Sequence, residues 1–313
     1  VVSVGTLAYY AVGSVIYVVD VTSPVSPTLI AAAAAWIAPI DDLVVSGNYL
    51  YAVGGDDCVW GGTCDGGLAI YDLADRRSPR AIAQLQLDAT PIEEAPVAAW
   101  HVAVAARHAY VTHRTDGLFV VDLSDASNPR LVGHYDTAGQ AGGVAVDDGV
   151  LYVADGAPGV AVIDVAVPES PRLVHYLRTS SAAQTLALVG PDLYVGLYDA
   201  LCIVARGQTQ AIAVPGTYGV LDLAYDGEFV YVAGGGYLIV RDPVLGTSPV
   251  PSDALSILST RDSAVAIAAA GGNALIVSRA GALSVIELRT DGSYETLGSV
   301  TSVQTHRLID VAF

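Results

Sequence analysis

Seven segments of this chain can be laid in register with one another, and a sequence that repeats one unit seven times is confined to architectures that stack or circle that unit. "LAYYAVGSVIYVVDVTSPVSPTLI" from Leu7 aligns by residue class with "VLYVADGAPGVAVIDVAVPESPRLV" from Val150. Between them lie "YLYAVGG…GGLAIYDLADRRSPRAI" and "HAYVTHRTDGLFVVDLSDASNPRLV". Three weaker copies follow, "DLYVGLYDALCIVARGQTQAIAV", "FVYVAGGGYLIVRDPVLGTSPV" and "ALIVSRAGALSVIELRTDGSYETL". An aromatic marks the second strand of each unit: Tyr9, Tyr51, Tyr110, Tyr152, Tyr194 and Tyr231, with Ile276 in the seventh. The spacings are 42, 59, 42, 42, 37 and 45 residues, and the long one contains the loop "GGDDCVWGGTCDGG" and the segment "LDATPIEEAP".

Each unit reads as four short strands punctuated by glycine, aspartate or proline turns, as in "GGVAV", "GVLYVAD", "GVAVIDV" and "PRLVHYL". Four-stranded units at this period predict a β-propeller, whose sheets pack face to face around an axis and bury both faces. That burial accounts for strands made almost continuously of Val, Ile, Leu and Ala. The expected fold is therefore all-β: a single domain over 1–313, a seven-bladed β-propeller of four-stranded antiparallel blades. "RLIDVAF" at the C-terminus matches "GVLDLAY" before the sixth unit, so the C-terminal segment is expected to close the ring, with Val1 to Ser3 competing for the same inner slot. The run "IAAAAAW" has helical propensity, but repeat register places it on an outer strand and its return loop.

Hydrophobic residues make up 53% of the 313 and charged ones 15%, which excludes a disordered chain. Acidic residues outnumber basic ones 32 to 14, every basic one is arginine, and the net charge of -18 opposes a phosphate backbone; no nucleic-acid partner is expected. Val1–Val19 and Val21–Ile40 carry no charge, but prolines or glycines interrupt both and both belong to the repeat, so neither is read as a transmembrane segment. The chain has no methionine, which fits a processed or trimmed product such as one freed of a signal peptide. Cys58 and Cys64, with five residues between them in a glycine-rich loop, are read as a disulfide and hence as a sign of an oxidising, extracytoplasmic compartment. Cys202, within "ALCIVA", is read as a buried small hydrophobe.

The third strands "LAIYDL", "LFVVDL" and "VAVIDV", each followed by a turn such as "SDASNP" or "PESP", resemble the LVIVD repeat of bacterial and archaeal propeller proteins. The resemblance is clear in four units and degraded in three, where Ala205 and Glu287 replace the motif aspartate and Pro243 follows Asp242 directly. It implies a propeller, and an exported or surface-associated protein, without implying any reaction.

The motif aspartates Asp20, Asp72, Asp122, Asp164 and Asp242 end third strands, where a carboxylate caps the following turn. A second superimposed position, just before the inner-strand triplet, holds Asp42, His101, Gly143, Thr185, Asp222 and Ile267 in turn, with Asp310 from the closing segment. Inner strands converge on the axis, so Asp42, His101, Thr185, Asp222 and Asp310 are expected at one mouth of the central channel, with His306 and His113 as further donors. Gathered carboxylates repel unless a cation, a ligand or water compensates. Calcium would suit an oxygen-rich set, and zinc or copper one that recruits both histidines; a hydrated polar channel is the plainer reading. In the enlarged loop, Asp56, Asp57 and Trp60 form a candidate interaction site, although Trp60 folded down over its own blade accounts for the sequence equally well. His134, His175 and His108 are read as exposed bystanders. No phosphate loop, HExxH, CxxCH or GxSxG is present. The sequence therefore points to an exported module for protein interaction or surface assembly. The alternative is a metal-dependent hydrolase or oxidoreductase at the channel mouth.

Overall fold

In the computed structural model the described residues are 1–35, 39–55, 66–87, 100–205, 208, 212–214, 219–225, 229–234, 237–241, 254–259, 264–270, 273–278, 281–288 and 294–301. They form seven four-stranded antiparallel sheets, each contiguous in sequence with its strands in chain order, and no helix is found among them. The sheets are arranged as propeller blades, numbered here from the N-terminus.

The inner strands are Val2–Val4, Ile40–Ser46, Trp100–Ala105, Val144–Asp147, Ala183–Val189, Val220–Tyr225 and Ala264–Ala270. They sit beside one another around the axis, and the fourth strands form the rim. Wherever their burial is described, the second and third strands are almost completely buried, as in Leu50, Ala52, Val53, Leu68, Ala69 and Ile70 at 0% exposure. Side chains alternate between two faces along a strand, so each blade feeds two seams. Tyr9, Leu50 and Ala69 pack between the first two blades, whereas Tyr51, Leu68 and Ile70 pack between the second and third. The alanine run forms the outer strand Thr28–Ala34, so tertiary register outweighs its helical propensity.

The innermost position of the first blade belongs to Val2–Val4, paired Val2↔Tyr9 and Val4↔Leu7. Residues 302–313, which carry "RLIDVAF", His306 and Asp310, lie outside the described residues. The seventh blade meets the first through an apolar cluster of Tyr10, Tyr17, Val21, Leu275, Leu283 and Val285.

Ladder register also corrects the alignment of the seventh unit by one residue. Leu275 pairs with Ala268 and Val285 and packs toward the first blade, as Tyr231 pairs with Ala224 and Val240 and packs toward the seventh. The residue matching the repeat tyrosine is therefore Leu275 and not Ile276. The residue matching Asp42 is Ala266, across from Val277, and not Ile267.

Candidate channel-mouth site

Inner strands begin at the end of the propeller where the chain crosses from one blade to the next, and this places Asp42, His101, Gly143, Thr185 and Asp222 at matching heights. Asp42 and Asp222 each follow a one-residue irregularity in the inner ladder, between Ile40 and Asp42 and between Val220 and Asp222. Such a bulge re-aims the next side chain.

Both carboxylates reach sideways to the following blade. Asp42 Oδ1 accepts the Leu43 amide at 2.8 Å and its Oδ2 accepts the Val102 amide of the third blade at 3.1 Å. Asp222 repeats the pattern, with Oδ1 accepting from Leu223 at 2.8 Å and Oδ2 from Ile267 of the seventh blade at 2.8 Å. Burial pushes the Asp222 carboxyl up and the field of Asp42 adds to it, against the Val1 amino group and the two amides. These aspartates thus clip blades together. Each carboxylate oxygen already serves a backbone N–H, so the pair is not a vacant set of ligands.

Four of the other seams use backbone or hydroxyl groups for the same purpose. The Ile40 amide donates to Gly13 O, Thr112 Oγ1 to Gly142 O, the Gly143 amide to Gln184 O and the Gly219 amide to Tyr198 O, at 2.6–2.9 Å. His101 Nδ1 stands 3.8 Å from Asp42 Oδ2, too far for a hydrogen bond. Thr185 is buried, its methyl lying against Gly196. Among the described residues no three His, Cys, Asp or Glu side chains are grouped so as to hold a metal ion.

His113 does not join the mouth. It is 3% exposed, and its Nδ1 lies 2.6 Å from Asp116 Oδ2, with Thr115 Oγ1 3.2 Å from the same nitrogen and donating to Asp116 at 3.0 Å. Burial lowers the His113 pKa and the carboxylate partly restores it. His134, read from sequence as a bystander, places Nε2 2.7 Å from Asp116 O and its ring against Phe119 at 5.0 Å. Two histidines therefore hold one hairpin.

The sequence reading missed Asp155. It is fully buried where the connection from the third blade crosses the fourth, accepting from Thr137 Oγ1 at 2.6 Å and Tyr176 OH at 2.9 Å. Burial raises its pKa despite those donors. The signal was present in "YDTAGQ" and "VADGAP", but only the fold brings these segments together.

The turn-capping role of the motif aspartates is visible directly. The amides of Thr22, Ala74, Ser124 and Ala166 donate to Asp20, Asp72, Asp122 and Asp164 at 2.8–2.9 Å. Asp242 lies outside the described residues. Asp20 also pairs with Arg77 of the second blade. Cys202 is buried and free, and burial pushes its thiol up, away from nucleophilic use. Asp56, Asp57, Cys58, Trp60 and Cys64 all lie outside the described residues. No helix among those residues is long and apolar enough to cross a membrane.

Comparison with known proteins agrees with this geometry. No curated protein matches the sequence. The crystal structure of the computationally designed Ika8 protein is similar with a TM-score of 0.66 and 14% identity, over 97% of this chain and 86% of that one. In all, 1107 solved chains match, so the shape by itself selects no activity. The model of the LVIVD repeat matches residues 40–58, 98–137 and 138–179, which cover the first two strands of the second blade and all four strands of the third and fourth. The chain is thus a propeller that carries LVIVD repeats in these three segments.

Proposed function

We propose that the protein is an exported interaction or surface-assembly module, a single domain whose seven sheets make one complete ring and whose recognition elements lie at the channel-mouth end of the second blade. The observation that carries this reading is the length of two connections. Residues 55–66, between the second and third strands of that blade, number twelve, where the other blades use two to five. Residues 87–99, leading to the third blade, number thirteen, where the other crossings use four to eight. In an antiparallel blade both kinds of connection emerge at the same end. Long loops on a rigid scaffold are where recognition residues concentrate, and Trp60, Asp56 and Asp57 fall within one of them. Tyr198, on the matching hairpin of the fifth blade, is 66% exposed at that end.

Export is supported by Cys58 and Cys64 within the same long connection. Mass analysis of peptides from the unreduced protein is expected to show them joined, and two free thiols on freshly secreted protein would remove this support. For the interaction role, residues 55–66 are replaced by a two-residue turn. The trimmed protein is expected to keep its Tm and lose cross-linked neighbours that the full chain captures on the cell surface; an unchanged set of neighbours would remove the loop from the account.

A further inference from the structure

Six of the seven seams are filled by the repeat tyrosine. Tyr9, Tyr51, Tyr110, Tyr152, Tyr194 and Tyr231 each lie in the apolar cluster shared with the following blade. In the seam from the seventh blade to the first, that place belongs to Leu275. A leucine reaches no further than the near edge of a tyrosine ring, and beside it lies a cavity of about 190 Å³. Leu275, Val285 and Asn273 bound it on one side, and Thr6, Val21, Thr22 and Pro24 of the first blade on the other.

The filled seam between the first and second blades shows what this space corresponds to. There the Tyr9 hydroxyl donates to the Arg76 carbonyl at 2.8 Å. Arg76 stands four residues after the motif aspartate Asp72, and Pro24 stands four residues after Asp20. The cavity is therefore bordered by the residue whose counterpart accepts the phenolic proton. Its walls Leu275, Val285 and Val21 are apolar, while Thr6 and Thr22 are exposed at its rim, so a ring can enter from solvent. An apolar cavity of about 150 Å³ suffices to take up benzene in another protein.

We propose that the seam between the seventh and first blades is a binding site for a phenol ring, which occupies the place of the missing tyrosine and donates its hydroxyl to the Pro24 carbonyl. The ring can belong to a free small phenol or to a tyrosine side chain. This site is separate from the loops of the second blade and does not depend on their role.

The full chain is titrated with p-cresol, toluene and N-acetyltyrosinamide, following Tm and ligand NMR. p-Cresol is expected to raise Tm saturably with affinity on the order of millimolar, and toluene to bind roughly fivefold more weakly for want of the hydroxyl. N-acetyltyrosinamide competing with p-cresol would point to a side-chain source, and its failure to compete to a free phenol. Leu275→Tyr is expected to abolish the p-cresol response; should that variant not fold, Val285→Phe, which narrows the cavity from the neighbouring strand of the same blade, is expected to do the same. The absence of a saturable response in the natural chain, a response to toluene equal to that of p-cresol, or a response retained when the cavity is filled would each overturn the proposal.

Discussion

The Asp222 carboxylate spans a seam: one oxygen accepts the Leu223 amide of its own strand and the other accepts the Ile267 amide of the seventh blade, both at 2.8 Å. Asp222→Ala leaves the Ile267 amide without that partner, and an unmet buried donor costs about 1–3 kcal/mol. Asp222→Asn keeps one acceptor and is expected to lose less. Urea denaturation of both variants beside Asp42→Ala, which breaks the equivalent clip to Val102, checks the ranking. Equal stability of Asp222→Ala and the natural protein would refute the clip.

Opposite responses to pH are expected from two aspartates. Hydrogen bonds from Ser124 hold the Asp122 pKa below the usual carboxylate value, so its stabilisation is present above that value and is lost as pH falls through the lowered one. Asp155 is raised by burial, so its contribution is greatest below the ordinary carboxylate range and declines as pH rises through the raised value. Relative to the natural chain, Asp122→Ala should lose most stability at neutral pH and least in acid. Asp155→Asn should flatten the decline above the carboxylate range. Melting curves between about pH 3 and 7 distinguish the two.

Ala106 adopts φ 52°, a left-handed conformation held at the matching turns by Gly5, Gly47 and Gly190. A side chain there costs roughly 1–2 kcal/mol, so Ala106→Gly is expected to stabilise the protein by about 1 kcal/mol after the added freedom of the unfolded chain is counted. An unchanged or lowered Tm would contradict this.

Gly133, on the outer strand of the third blade, is approached so closely by the fourth that a Cβ would lie 2.2 Å from the Pro168 carbonyl. Gly133→Ala should therefore push the two blades apart at the rim and cost about 1–3 kcal/mol. Hydrogen exchange should report the loss first in Arg130–Tyr135 and in the turn around Pro168. Protection equal to that of the natural chain in both would show that the rim absorbs the methyl.

Repetition made the architecture legible, because residues conserved in class at a steady period also share a structural environment. The turn caps were legible for the same reason: Asp72, Asp122 and Asp164 each precede their amide donor by two residues, so the contact lies within the sequence window. The inner-strand aspartates were legible in height but not in direction. Asp42 and Val102 are 60 residues apart, and the bulge that turns the carboxylate toward its neighbour leaves no mark in composition. The seventh unit slipped by one residue because Ile276 and Leu275 are both apolar, and a one-residue shift in a strand exchanges the seams they face. His113 and Asp116 sit within three residues of each other, yet their pairing needed the hairpin geometry that joins them.

The placement of the tyrosines gives the ring a sense of direction. Tyr9 points into the second blade and Tyr51 into the third, so one blade supplies each plug and its successor supplies the receiving wall. Duplicating or deleting a repeat leaves those partnerships intact only when the cut preserves a donor and its acceptor together. The unit that has to stay whole in any rearrangement of the circle is thus the boundary between two sheets and not the sheet alone.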